Sequence, residues 1–193
     1  MRKFIPRKLI ELPTQWLLLP IALVALAISG LFGGLRPAEQ SDVDTAAVGQ
    51  HIDGQPWNAI VVSARLARST DDLPTQGTAN HWIVVRISLL VTGDEPVSVR
   101  DTVRMRGASG LVSATPAMAV LLRDGRDVPE LNPGLPETFD FYWEQKPQPA
   151  APKSVLVDVF NEIQRENSFT GQLIWADPEV KATVTVPVSG AAS

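Results

Sequence analysis

From Leu12 to Leu35 the chain runs for twenty-four residues without a charged side chain, bounded by Glu11 and Arg36. As a helix rising about 1.5 Å per residue, that stretch reaches roughly 36 Å, enough to cross a hydrocarbon core of about 30 Å with some tilt. A cleavable secretory signal has an apolar region of about 7–15 residues with a small-x-small site just beyond it. Here the small-x-small triplets, Ala25-Leu26-Ala27 and Ala27-Ile28-Ser29, fall inside the apolar run, which predicts an uncleaved signal anchor. Arg2, Lys3, Arg7 and Lys8 precede the run, and a cationic excess on a short flank keeps that flank in the cytoplasm. The expected layout is a cytoplasmic tail over 1–11, a transmembrane helix over 12–35, a linker over 36–50 and one extracytoplasmic domain over 51–193. Such a protein resides in the cell membrane as a single-pass chain.

Charge divides along the same line. Of seventeen Lys and Arg residues four precede the run, and of twenty-one Asp and Glu residues only Glu11 does. The remainder carries thirteen basic against twenty acidic groups, a net charge of −7. An acidic outer region is ill suited to non-specific nucleic-acid binding, which depends on neutralising phosphates. The chain has no cysteine, so the outer domain depends on its core rather than on disulfides, which fits a bacterial surface protein.

Within the span, Ala22, Ala25, Ser29 and Gly33 recur at helical three-or-four spacing, with Gly30 and Gly34 forming a G-x-x-x-G pair. Small residues at that spacing let a second helix approach closely, making this the candidate helix-packing face. Pro20 is tolerable where a neighbouring helix covers the freed carbonyl. Trp16 is placed as an interfacial anchor at the inner end.

Beyond the span, residues 36–50 (RPAEQSDVDTAAVGQ) are small, polar and aperiodic, which reads as a linker. After it the dominant period is two. Ile60, Val62, Ala64 and Leu66 alternate with more polar neighbours, as do Ile83, Val85, Ile87, Leu89 and Val91. Further alternating runs occur at Val97-Val99, Val103-Met105, Met118-Val120-Leu122, Phe139-Phe141-Trp143, Val155-Val157-Val159, Leu173-Trp175 and Ala182-Val184-Val186-Val188. Alternation of this kind marks strands with one buried face. Turn chemistry separates the runs at 92–96, 123–126, 132–136 and 176–178, and the chain holds sixteen prolines. The pattern predicts an all-β antiparallel sandwich of about seven to nine strands. Asn161 to Asn167 is the one place outside the span where a helical turn is considered, and the proline-rich 145–152 reads as a surface loop.

The segments WNAIVVSARLA, ANHWIVVRISLLVTGDEPVSVRD, LNPGLPETFDFYWEQKP and KSVLVDVF resemble the extracytoplasmic immunoglobulin-like (telokin-like) domain of many uncharacterised bacterial lipoproteins and membrane-anchored proteins. The counterparts of that pattern are Ile83 to Val97, the Asp124-Gly125 turn and Leu131 to Pro147, and they span most of Trp57 to Val188. The chain departs from it where Leu90 and Val91 stand in place of an asparagine before Thr92-Gly93, and it has no lipobox cysteine, so anchoring falls to the helix. The resemblance implies a fold and a location and transfers no active site.

Residues for catalysis are few. A nucleophile needs an activating base and a group that orients the base, and only His51 and His81 are present as histidine bases. Neither lies in a G-x-S-x-G context, and there is no H-E-x-x-H or paired-histidine spacing for zinc. Asp71-Asp72 and Asp94-Glu95 sit in turn-like segments, where solvation accounts for them. The sequence Arg123-Asp124-Gly125-Arg126-Asp127 lacks the spacing of a calcium loop, and its arginines repel a cation. No catalytic residue, metal or cofactor is assigned. Two surfaces remain as binding candidates. In SVRDTVRMR, alternation places Val97, Val99, Val103 and Met105 on one face of a strand and Arg100, Arg104 and Arg106 on the other. Guanidinium groups bind carboxylate or phosphate bidentately, so this row suits an acidic partner or an anionic envelope polymer, against the alternative of a solvated outer face or internal pairing with the excess carboxylates. Among the aromatics, Trp57, Trp143 and Trp175 read as core or groove lining, whereas parity points Trp82 away from the core.

The expectation is a non-catalytic binding or accessory subunit of a larger bacterial membrane assembly, contacting both the bilayer and an integral membrane partner. The alternative is a free-standing receptor-like module for an envelope polymer or small ligand.

Overall fold

A computed structural model describes residues 43–69, 73–77 and 79–190. All of these belong to a compact unit spanning Val43–Ser193. The tail over 1–11, the span over 12–35 with Ala22, Ala25, Ser29 and Gly33, and the first part of the linker lie outside the described residues.

The chain forms twelve strands and no α-helix among the described residues: β1 (Asp44–Ala46), β2 (His51–Ile52), β3 (Trp57–Arg68), β4 (His81–Val91), β5 (Val97–Ser98), β6 (Val103–Arg106), β7 (Met118–Leu121), β8 (Arg126–Asp127), β9 (Glu130–Leu131), β10 (Glu137–Gln145), β11 (Ser154–Glu166) and β12 (Leu173–Ser189). Five of them, β1, β2, β5, β8 and β9, have only two or three residues. Such strands are too short to show alternation, and the other seven fall in the range read from the sequence.

Hydrogen bonding runs in the order β6-β11-β12-β3-β4-β10-β7-β8, with β1 beside β12 and β2 beside β3. The path is continuous only because the last residues of β12 touch β3, through Val188 opposite Ala64 and Ser189 opposite Arg65. On either side of that narrow seam lie two layers, β1-β12-β11-β6 and β2-β3-β4-β10-β7-β8, and β5 and β9 form a separate two-stranded ribbon. One core cluster joins inward side chains of both layers: Ile83, Val85, Ile87, Phe139, Phe141 and Trp143 from one, Val103, Met105, Val155, Val157, Val184 and Val186 from the other. The fold is an all-β sandwich. Each of those side chains contributes about 1.5–3 kcal/mol by leaving water, and alternation along each strand is what delivers them to one face.

In two strands the phase differs from the sequence reading. A register shift between Val61 and Ser63 inserts Val62 as an extra residue in β3. Trp57, Ala59 and Val61 are therefore buried before the bulge and Ala64 after it, while Val62 faces solvent and Ile60 is only half-buried. A bulge reverses the parity of everything beyond it, and alternation read across it must fail on one side. In β7, Ala119 and Leu121 enter the main core, whereas Met118 and Val120 pack on a second cluster behind the sheet and Leu122 is exposed. Both faces of β7 are partly covered, so hydrophobicity alone gives it no unique phase.

Three boundaries also move. Strand β1 lies inside the stretch expected to be linker: Ala46 is buried, and the following turn is closed by Gly49 N–H donating to Val61 O at 2.8 Å and Ala47 N–H to Gln50 Oε1 at 2.9 Å. Asn161–Glu166 is strand rather than a helical turn. Ala176-Asp177-Pro178 does not end a strand, because β12 continues through it with Asp177 at a φ of 52° and the pairing with β11 shifts nearby.

Candidate interaction surface

The expected arginine row does not lie on one strand. Val99–Asp101 forms a 3-10 turn between β5 and β6, closed by Thr102 Oγ1 donating to Val99 O at 2.7 Å. Val97, Val99, Val103 and Met105 all remain buried as the alternation predicts. The turn, however, rotates the arginines apart, and each guanidinium meets a carboxylate. Arg100 pairs with Asp127. Arg104 donates from Nη1 to Arg100 O at 3.0 Å and Val103 O at 2.9 Å, from Nη2 to Asp101 at 3.2 Å, and lies 5.5 Å above the Phe160 ring. Arg106 binds Asp158 through Nε at 2.6 Å and Nη2 at 3.0 Å, and Thr183 Oγ1 donates to the same carboxylate at 2.6 Å. The hydrogen bond and charge of Asp158 push the Arg106 guanidinium pKa up. Internal pairing thus engages the three cations, and no continuous cationic row remains.

A similar trio on the other layer escapes the sequence reading. Asp140, 5% exposed, accepts from Arg86 Nε at 2.8 Å, Arg86 Nη2 at 3.0 Å and Arg65 Nη2 at 3.2 Å. Burial by itself pushes its carboxyl pKa up, but the hydrogen bonds and charges of Arg86 and then Arg65 outweigh burial and hold it below the ordinary value. Asp140 and Arg86 are cross-strand partners in the β10–β4 register, so the signal for them is a pairing and not a local pattern.

Trp82 is buried on the side that parity assigns to it. With Val84 and Tyr142 it forms the second cluster, against which Ala67, Leu73, Met118 and Val120 pack. Its ring meets Tyr142 edge-on at 5.8 Å and 89°, and its Nε1 donates to Leu73 O at 3.0 Å. Glu144 holds the covering segment by accepting from Gly77 N at 3.1 Å and Asn80 Nδ2 at 2.6 Å. The histidines stay apart in chemistry and place: His51 Nδ1 sits 3.0 Å from Asp53, and His81 Nε2 lies 2.7 Å from Gln145 Oε1.

The concavity that uses residues singled out in the sequence is a cleft of about 370 Å³ between the 95–101 segment and the β11–β12 pair. Arg104, Asp101, Glu162, Trp175 and Ile174 line it, and Trp57 lies at its base. Trp57 and Trp143 are core residues, but Trp175 remains half-buried here. Burial, with repulsion from Asp101, raises the Glu162 pKa above the ordinary value. The buried indole N–H of Trp57 has no hydrogen-bond partner among the described residues. An aromatic wall beside one paired cation and three carboxylates, Glu95, Asp101 and Glu162, can hold a polar ligand or a partner side chain.

Beyond the cleft, β11 and β12 continue as a ribbon. Past Glu162, whose N–H donates to Gln55 O at 2.6 Å, their backbone bonds among the described residues are to each other. At the end of this arm Phe169 is 99% exposed.

No family model matches the chain, and no curated protein does. Among solved structures it is similar to an uncharacterized β-sandwich protein from Clostridium difficile 630, with TM-score 0.44 and 9% identity over 77% of this chain and 99% of the other. It is also similar to a secreted protein from Mycobacterium tuberculosis, with TM-score 0.39 and 14% identity over 77% of this chain and 99% of that one. Likeness at this level leaves the fold to be read from the strand pairings above and transfers no site.

Proposed function

We propose that this chain is a single-pass, membrane-anchored bacterial protein whose extracytoplasmic, immunoglobulin-like (telokin-like) sandwich serves as a non-catalytic accessory subunit of a larger membrane assembly. The observation that carries the reading is the uncharged run over 12–35, with four cations before it and a net acidic region after it. The polar surface of the sandwich adds support, since its best-formed charge clusters are arginine–carboxylate ties that brace strands. A second reading, a receptor-like module for an envelope polymer, is favoured by the cleft that sets Trp175 beside Arg104.

Extraction of the tagged full-length protein in a mild detergent, followed by mass analysis of everything recovered with it, tests the proposal. Stoichiometric integral membrane proteins are the expected result. Recovery of the intact chain alone from membranes, with an envelope polymer retained and lost on Trp175→Ala, would overturn the assembly reading in favour of the receptor.

A further inference from the structure

We infer that the tip of the β11–β12 arm seats in the interfacial zone of the bilayer that holds the anchor, giving the domain a second contact with the membrane; this rests on the anchored reading above. The arm ends in ten consecutive uncharged residues, Asn167 to Ala176, between Glu166 and Asp177. Its large apolar side chains face solvent: Phe169 is 99% exposed, Leu173 60%, Ile163 43% and Ile174 40%. Isolated exposed apolar residues are ordinary, but a group collected at one extremity marks a contact surface.

The register of the arm indicates what kind of surface it meets. Arg165 opposes Ile174 and Ile163 opposes Ala176 on one face; Glu166 opposes Leu173 and Gln164 opposes Trp175 on the other. Apolar groups therefore stand on both faces of the ribbon, with Phe169 at its turn. A fluid interface takes up apolar groups on both faces of such a ribbon and at its turn together. The composition, Phe, Leu, Ile and Trp among Ser, Thr, Asn, Gln and Gly, is that of segments lying at the boundary of headgroups and acyl chains.

Chain direction puts the tip and the start of β1 toward the same end of the sandwich. Strand β1 runs parallel to β12, with Asp44 opposite Ala182. The start of β1 therefore lies toward the end of the sheet to which β12 leads back at Leu173. Nine residues separate Ala182 from Leu173, about 30 Å of strand at roughly 3.3 Å per residue. Eight residues separate Arg36 from Asp44, and however they are arranged they reach at most about 29 Å. Tether and arm are thus of comparable length, as contact between the tip and the headgroups requires.

The chain has no cysteine, so single labels can be placed in the full-length protein. Ser168→Cys, which keeps Phe169, is labelled with an environment-sensitive fluorophore, as is Val112→Cys. Val112 hydrogen-bonds Glu144, which pairs with Trp82 at the end of β4 remote from the arm. Both proteins are reconstituted into phosphatidylcholine vesicles carrying a nitroxide lipid. The expected result is a blue shift and strong quenching at position 168, little at 112, and loss of most of the quenching at 168 when Phe169→Asp is added. Equal weak quenching at both positions in protein that floats with the vesicles would overturn the inference and leave the anchor standing; shielding of position 168 only by a co-reconstituted protein would do the same. Failure to float would remove the anchored reading and the inference together.

Discussion

Replacing Asp140 by Asn isolates an electrostatic contribution in nearly unchanged shape. The carboxylate is 5% exposed and takes three hydrogen bonds from two guanidiniums at 2.8, 3.0 and 3.2 Å. Bonds to charged groups contribute about 1.5–3 kcal/mol each in protected settings. The side chains of Arg86 and Arg65 are 38% and 44% exposed, so solvent screens much of the gain. A net loss of about 2 kcal/mol is expected at neutral pH, or roughly 4–8 °C in Tm for a domain of this size. The sign with pH follows from the lowered pKa. A carboxyl that holds its proton less tightly in the folded state stabilises it above the unfolded pKa of about 3.9, and that stabilisation disappears as pH falls through the lower folded value. Urea unfolding of the full-length protein in micelles, followed by tryptophan fluorescence, should show parent and variant well separated at pH 7 and converging in acid. A gap that is absent at pH 7, or that persists unchanged to about pH 2, would show that the Asp140 charge is not what stabilises the folded state here.

Phe141→Ala removes a fully buried ring stacked on Trp143 at 6.0 Å and should cost about 3–5 kcal/mol by chemical denaturation, with a loss below about 1 kcal/mol contradicting its place in the core. Trp82→Ala should cost a similar amount and, because Trp82 Nε1 holds Leu73 O, should speed proteolysis within 69–80; an unchanged cleavage rate there would count against the covering role. Glu162→Gln should raise stability at neutral pH. The Glu162 pKa is raised, so ionising this carboxyl costs more folded than unfolded, the penalty applies above the folded pKa, and the advantage of Gln should vanish on acidification below the ordinary carboxylate range. A variant less stable than the parent at pH 7 would show that Glu162 is used favourably.

Legibility followed burial geometry. In β4, β10, β11 and the second half of β12, one face meets the core and alternation located the inward residues from Ile83 to Val91 and from Ala182 to Val186. It failed across Val62, where a bulge changes parity, and at Met118 and Val120, where a second apolar cluster lies behind the sheet. Trp82 was identified as facing away from the core, but what covers it comes from a segment whose path no local pattern discloses. Arg100 and Arg106 are visible in the sequence and their partners are not, because Asp127 and Asp158 reach them through loop closure and strand register, and the Arg86–Asp140 pair leaves no local signal at all. Likewise Arg104 and Trp175 each stood out alone, and only the return of β12 past the 95–101 segment makes them walls of one cleft. The arm was hidden by Ala176-Asp177-Pro178, whose turn-forming residues here accommodate an irregularity in a continuing strand.

The central claim is an uncleaved anchor with the sandwich on the outer side. The most direct measurement is protease treatment of intact spheroplasts expressing the full-length chain with separate N- and C-terminal tags, with the mass of the mature N-terminus determined in parallel. Loss of the C-terminal tag, protection of the N-terminal tag until the membrane is opened, and a chain that retains residues 1–35 are expected. A mature chain beginning after Ala27 or Ser29, or a C-terminal tag that survives until lysis, would contradict that claim.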